Sequence, residues 1–138
     1  MEVITHSDGG ARGNPGPAGI GIVVSDLNGN KLKELGEYIG ETTNNQAEYK
    51  ALIQALTEAY KLGATAVTCY LDSELVVKQL TGLYKIKEAG LQELAMDALR
   101  LKSKFQQVNF KHVRREHNAD ADKLVNQALD AEENKKSA

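Results

Sequence analysis

At 138 residues, 41% of them hydrophobic, the chain has the size and apolar content of one domain with one core. No run approaches the roughly 20 apolar residues of a membrane helix, and MEVITHSDGG lacks a basic region leading into an apolar stretch, so neither a membrane span nor a signal peptide is expected. The formal net charge of −2 gives no basic surplus, so any affinity for nucleic acid must come from a site and not from bulk charge. A single cysteine, Cys69, excludes an internal disulfide framework, suits a reducing, cytoplasmic compartment, and reads as a small buried residue in a strand.

Residues 3–8 read as a first strand that runs into the Gly- and Pro-rich turn GGARGNPGPAG. Residues 19–25 predict a second strand, and Asp26-Leu27-Asn28-Gly29-Asn30 supplies hairpin chemistry before an antiparallel third strand over 31–39. A helical pattern follows over 46–62 and is closed by Gly63. Residues 67–71 alternate as a fourth strand, with a short helix over 74–80, a longer one over 91–105, and a fifth strand over 108–113. A last helix is expected from about Asn118 to Ala131, leaving EENKKSA, residues 132–138, as a disordered tail behind a single domain of residues 1–131. A strand meander followed by helix–strand units implies an α/β fold, a mixed sheet with helices packed on its faces.

Glu48 is the most informative residue. On a helical wheel at 100° per residue, Leu52, Ala55, Leu56 and Ala59 all fall within about 80° of it, the width of one buried stripe. Gln46, Lys50, Gln54, Thr57, Glu58 and Lys61 occupy the opposite arc. A carboxylate in the middle of an apolar face costs several kcal/mol unless it is protonated, paired or bound to metal. A first-turn glutamate favoured by the helix dipole, or one paired with a buried cation, would satisfy the same pattern.

Three aspartates add to it. Asp8 ends the first strand, Asp72 ends the fourth, and Asp122 flanks the stripe of Ala121, Leu124, Val125, Ala128 and Leu129 on the last helix. Singly they read as a turn former, a helix N-cap and a solvated helix residue. Together they form an oxygen-only ligand set without a histidine or cysteine cluster, the preference of Mg²⁺ or Mn²⁺. Two such ions about 4 Å apart can activate a water and stabilise the leaving oxygen of a phosphodiester.

The strand ending in Asp8-Gly9-Gly10, followed by Gly13-Asn14-Pro15-Gly16-Pro17-Ala18-Gly19, resembles the opening of type 1 ribonuclease H. Thr42-Thr43-Asn44-Asn45-Gln46-Ala47-Glu48 resembles that family's approach to its catalytic glutamate, Leu71-Asp72-Ser73 its third acidic position, and Ala121-Asp122-Lys123-Leu124 its fourth. The resemblance spans about residues 2 to 130 and implies a ribonuclease H-like fold: a five-stranded mixed sheet, three strands antiparallel and then two parallel, with helices on both faces. It also implies an endonuclease that cuts the RNA strand of RNA–DNA hybrids, leaving 3′-hydroxyl and 5′-phosphate ends. Asp8 would then bridge two Mg²⁺ (or Mn²⁺) ions, Glu48 and Asp72 would complete the ion beside the leaving oxygen, and Asp122 would help hold the ion that activates water. Asn14, Asn44 and Asn45 match positions that contact the minor groove of the hybrid, and Thr43 one that holds a DNA phosphate. Arg12 joins Lys85, Lys87, Arg114 and Arg115 as a candidate for backbone contact. No obligate protein partner is implied, and a monomer is expected.

The chain departs from the family in three places. Glu74 stands where many relatives have glutamine, and the segment Thr81–Glu88 has no room for the basic helix that some relatives use as a substrate handle. The loop before the last helix is shorter than usual, which puts His117 in the position to replace a mobile catalytic histidine; His6 and His112, on strands, read as structural. A non-catalytic hybrid-binding domain would not need all four acids. An integrase-like or junction-cutting nuclease on the same fold would not need Asn14 and the Thr-Thr-Asn-Asn segment.

Overall fold

The computed structural model describes residues 1–137. Five strands, β1 (Glu2–Ala11), β2 (Gly16–Ser25), β3 (Lys31–Thr42), β4 (Ala66–Leu71) and β5 (Gln107–His112), form one sheet in the order β3-β2-β1-β4-β5. β1–β2 and β2–β3 pair antiparallel, while β4 runs parallel to both β1 and β5. This is the expected mixed sheet, and the parallel register sets Ser7 beside Leu71, so that Asp72 follows the end of β4 next to Asp8, which lies within β1 where that pairing stops.

The helices are α1 (Asn44–Lys61), α2 (Glu74–Leu80), α3 (Ala89–Lys102) and α4 (Ala119–Ser137), with a 3₁₀ turn at Arg115–Asn118 before the last. One face of the sheet carries most of the core: Leu52, Leu56, Val67, Leu71, Val76, Leu91 and Phe110 pack into one buried cluster. α1 lies between the sheet and α3, so its buried surface is wider than one stripe. Leu52, Ala55, Leu56 and Ala59 are fully buried as the wheel predicts, as is Ala51 within the same stripe, but Ala47 and Tyr49, about 100° to either side of Glu48, are too. Glu58, grouped above with the polar residues, stands about 80° from Glu48 on the wheel, at the edge of the stripe and not opposite it, and it is also buried, with its carboxylate 3.8 Å from Lys61 Nζ.

α4 covers the other face over β1, β2 and β3 and lies very close to the strands. A Cβ on Gly21 would sit 2.1 Å from the Ala121 carbonyl oxygen, so only glycine admits the helix at this distance. That contact brings Asp122, the next residue, into the same cleft as Asp8.

Two expected boundaries move. The strands on either side of the GGARGNPGPAG segment extend into it, leaving Arg12–Pro15 as the connection, with a cis Asn14–Pro15 bond and Arg12 N–H donating to Pro17 O at 2.8 Å. The tail expected to be disordered over 132–138 is helical through Ser137, and Ala138 lies outside the described residues. The reason is tertiary: Arg12 forms ion pairs with Asp130 and Glu133 and ties the end of α4 to the domain.

Candidate active site

The N-terminus of α1 meets the sheet at Gly9. A Cβ there would lie 2.2 Å from the Ala47 carbonyl oxygen, so the bare glycine lets α1 in close enough for Glu48 to reach Gly9 and Asp8 on β1. Thr43 caps the helix, its side chain accepting from Gln46 N–H at 3.2 Å, and the Thr42 hydroxyl donates to the Gln46 side chain. Glu48 Oε1 accepts the Gly9 N–H at 3.1 Å, while Oε2 is buried without a hydrogen-bond partner among the described residues.

Asp8, Glu48 and Asp72 each offer a carboxylate oxygen, and these oxygens lie within 4.8 Å of one another. Asp8 and Glu48 are buried and Asp72 is half-buried. Burial and the charge of Asp72 push the Asp8 carboxyl up to about 7. Burial, then the charges of Asp8 and Asp72, raise Glu48 well above the usual carboxylate range. Asp72 is also raised by burial, against the pull of a hydrogen bond from Asn118 and the Arg115 charge. As the chain stands, three carboxyls compete for too few protons and too little countercharge. An oxygen-only donor set with an orphaned buried oxygen fits a hard divalent cation.

These groups line an open cleft of about 480 Å³ together with Asp122, Asn44, Asn45, Arg12 and Arg115. The structure therefore brings the four acids predicted from the sequence into one site. Asn14 and Asn44 stand at its edge and use their side-chain oxygens internally: Asn14 Oδ1 accepts from Asn44 N–H at 3.0 Å, and Asn44 Oδ1 from Ala11 N–H at 2.8 Å. That fixes both amides with their NH₂ groups left over as donors.

Two candidates stand differently from the expectation. Arg12 lines the cleft, but its guanidinium is 2.8 Å from Asp130 and 2.7 Å from Glu133, so it is already engaged by carboxylates of α4. His117 is absent from the cleft lining; it borders a separate cavity of about 470 Å³ with His6, Leu27, Lys31 and Asp120. In a 3₁₀ turn residues i and i+3 share a face, which turns Arg115 and Asn118 toward the acids and His117 away.

Of those two, the sequence marks Arg115 only as a candidate backbone contact and does not single out Asn118. Arg115 Nη2 lies 3.3 Å from Asp122 Oδ1. Asn118 is buried, donates from Nδ2 to Ser7 O at 2.8 Å, and supports the ionised form of Asp72. An asparagine just before a helix reads as a cap, and nothing local distinguishes this one. Glu74, at the unusual position, is paired with Lys78 at 2.5 Å, and Lys78 in turn lies 5.0 Å from the centre of the Tyr84 ring. His6 stacks on Tyr70 at 5.2 Å, and the Cys69 thiol, buried, is pushed up to about 12, as suits structural residues.

A mixed sheet in this strand order, with one acid on β1, one just past the end of β4 and others supplied by α1 and α4, defines the ribonuclease H-like class. Residues 6–128 match the family described as "Reverse transcriptase-like". The chain is 46% identical over 132 residues to the bifunctional protein Rv2228c of Mycobacterium tuberculosis, covering 95% of this chain and 36% of that protein. The N-terminal RNase H domain of that protein, solved as a fusion with maltose binding protein, matches with a TM-score of 0.92 at 45% identity and 95% coverage of both chains. RNase H1 of the archaeon Halobacterium salinarum matches with a TM-score of 0.93 at 42% identity, covering 95% of this chain and 99% of that one. LC11-RNase H1, solved in complex with an RNA/DNA hybrid, matches at 0.89 and 48% identity over 94% and 97% of the two chains. This chain belongs to the ribonuclease H family. It spans 36% of the length of its curated mycobacterial relatives.

Proposed function

We propose that this protein hydrolyses the RNA strand of RNA–DNA hybrids, leaving 3′-hydroxyl and 5′-phosphate ends. The observation that carries the reading is the convergence of Asp8, Glu48 and Asp72, with Glu48 Oε2 buried and unpartnered among the described residues. A module that only bound a duplex would gain nothing from carboxylates held at such electrostatic cost. The hybrid as substrate is supported by the family and by the relative solved with RNA/DNA hybrid.

Asp8, Glu48, Asp72 and Asp122 would hold two divalent cations, Mg²⁺ or Mn²⁺, which when bound supply positive charge to the attacked phosphodiester and make water a nucleophile near neutral pH. Gly9 N–H orients Glu48, and a hydrogen bond from Asn118 favours the ionised form of Asp72 against the upward push of burial. Asn14, Asn44 and Asn45 present amides along the cleft edge, where donors can meet minor-groove acceptors and 2′-hydroxyls, the group that separates RNA from DNA. Thr43, already the cap of α1, would hold a DNA phosphate. Arg115, exposed beside Asp122, balances part of the acidic field and can follow a phosphate.

The same reading takes the protein as a cytoplasmic monomer without an obligate protein partner. It is consistent with the buried Cys69 and with the fact that no described helix is long and apolar enough to cross a membrane. The test is cleavage of a labelled RNA–DNA hybrid with Mg²⁺ beside all-DNA and all-RNA duplexes, with the product ends identified. Cleavage confined to the hybrid supports the reading. Cutting of the all-DNA duplex would point to a different nuclease on this fold, and binding without cutting to a non-catalytic domain.

A further inference from the structure

We propose that Asp130 and Glu133, near the end of α4, compete with the nucleic-acid backbone for Arg12 and so set how tightly the cleft holds its duplex. The inference rests on the functional reading above, because it places a duplex in that cleft. Arg12 lines the same cleft as Asp8, Asn44 and Asn45. Its guanidinium meets Asp130 Oδ1 at 2.8 Å, Glu133 Oε1 at 2.7 Å and Asn126 Oδ1 at 3.4 Å. Anionic oxygens on two nitrogens of the guanidinium fork are what a phosphate would also offer.

Three features make exchange feasible. First, the side chains are not locked by burial: Arg12 is 34% exposed, Asp130 62% and Glu133 58%. Exposed ion pairs are worth about 1 kcal/mol or less each, small enough for a phosphate to displace and large enough to lower affinity measurably. Second, the ion pairs of Arg12 among the described residues set one cation against two anions, so a phosphate approaching Arg12 meets two carboxylates already in place. Third, Leu129 is the last buried apolar residue of α4, and most of the helix beyond it is exposed. The end of the helix can therefore move with its carboxylates as Arg12 turns to the duplex.

The experiment measures hybrid affinity in Ca²⁺, which fills oxygen sites while holding cleavage back, over a range of salt, for the full chain. Asp130→Asn/Glu133→Gln is compared with the wild type, and the same pair of substitutions is repeated on an Arg12→Ala background. The expected result is a roughly three- to tenfold gain in affinity at low salt, with the slope of log affinity against log salt steeper by about 0.9, one added phosphate contact. On the Arg12→Ala background the gain should shrink to less than about twofold. An equal gain in both backgrounds would mean that removing two negative charges acts through the general field, and no gain in either would mean that the carboxylates do not compete; each overturns the proposal. If circular dichroism shows the double variant losing helix, Glu133→Gln alone carries the test, with an expected gain of about two- to threefold. An all-DNA duplex run alongside separates the two readings: lack of hybrid preference in the wild type overturns the function, whereas the Arg12-dependent gain would still appear with whichever duplex binds.

Discussion

On the floor of the cleft Asp8, Glu48 and Asp72 converge with no ion pair to any of the three among the described residues, whereas at its rim Arg12 stands between Asp130 and Glu133 at 2.8 and 2.7 Å. Both are groups of like carboxylates in one cleft. At the rim the chain supplies the countercharge itself, and the cluster fastens the end of a helix. On the floor it withholds the countercharge, accepts raised carboxyl pKa values, and leaves the oxygens to ligands from solution. A cluster finished internally must give up a contact before it takes a ligand; one left electrostatically incomplete in a buried place is set up for something that arrives from outside.

The largest effect that would test this contrast is on catalysis. Asp8→Asn, Glu48→Gln or Asp72→Asn should each reduce hybrid cleavage about a thousandfold or more while the fold persists, because a charge-stabilising ligand is lost. Near-normal turnover in any of the three would remove the floor cluster from the chemistry.

The next effect is on stability. Asp8 and Glu48 have folded-state pKa values above their usual ones, so the folded protein binds extra protons between the usual carboxylate range and about 7. In EDTA, stability should be greatest below that window and should fall as pH rises through it. The thermal midpoint should drop on the order of 5 °C or more from pH 5 to pH 8, and Asp8→Asn should flatten the dependence. Mg²⁺ should reverse the trend, since it binds the deprotonated acids. A flat profile in EDTA would mean that the floor is less strained than its geometry implies.

A smaller effect separates Arg115 from His117. Arg115→Ala should lower turnover by roughly tenfold, with the larger part of the change in kcat, because the cation beside Asp122 is lost. His117→Ala should cost less than that. A loss of about tenfold or more from His117→Ala alone would show that the turn rearranges when substrate binds and return that histidine to the site.

The smallest effect belongs to Asp120, two residues from Asp122 but paired with Lys31 at 3.1 Å and facing the other cavity. Asp120→Asn should retain most activity and cost no more than about 1 kcal/mol of stability, as for an exposed ion pair. Loss of cleavage there, with Asp122→Asn active, would reverse the assignment of the fourth acid.

Much of this was legible in the chain because the signals are local. Alternation gives the strands, a 3.6-residue period gives the helices, and a carboxylate at the centre of an apolar stripe marks Glu48 whatever surrounds it. Where α1 is pressed on more than one side the buried surface outgrows the stripe: Ala47 and Tyr49, about 100° to either side of Glu48, are buried, and so is Glu58 at about 80°. Where two elements must nearly touch, Gly9 carries the information, but a glycine in a Gly-rich segment cannot say which of its neighbours needs the space.

The sequence by itself determined the order of the elements, the mixed sheet and the four acids, since each depends on residue type and spacing within one strand or helix. The tertiary structure alone decided what the charged and polar residues around those acids do. Arg12 reads as a free cation until Glu133, 121 positions away, is folded against it, and the same contact turns an expected disordered tail into helix. His117 and Arg115 exchange places because a single 3₁₀ turn fixes which of them faces the cleft. Long-range pairing and the rotation of a short turn are set by packing, and packing leaves no period in the chain to read.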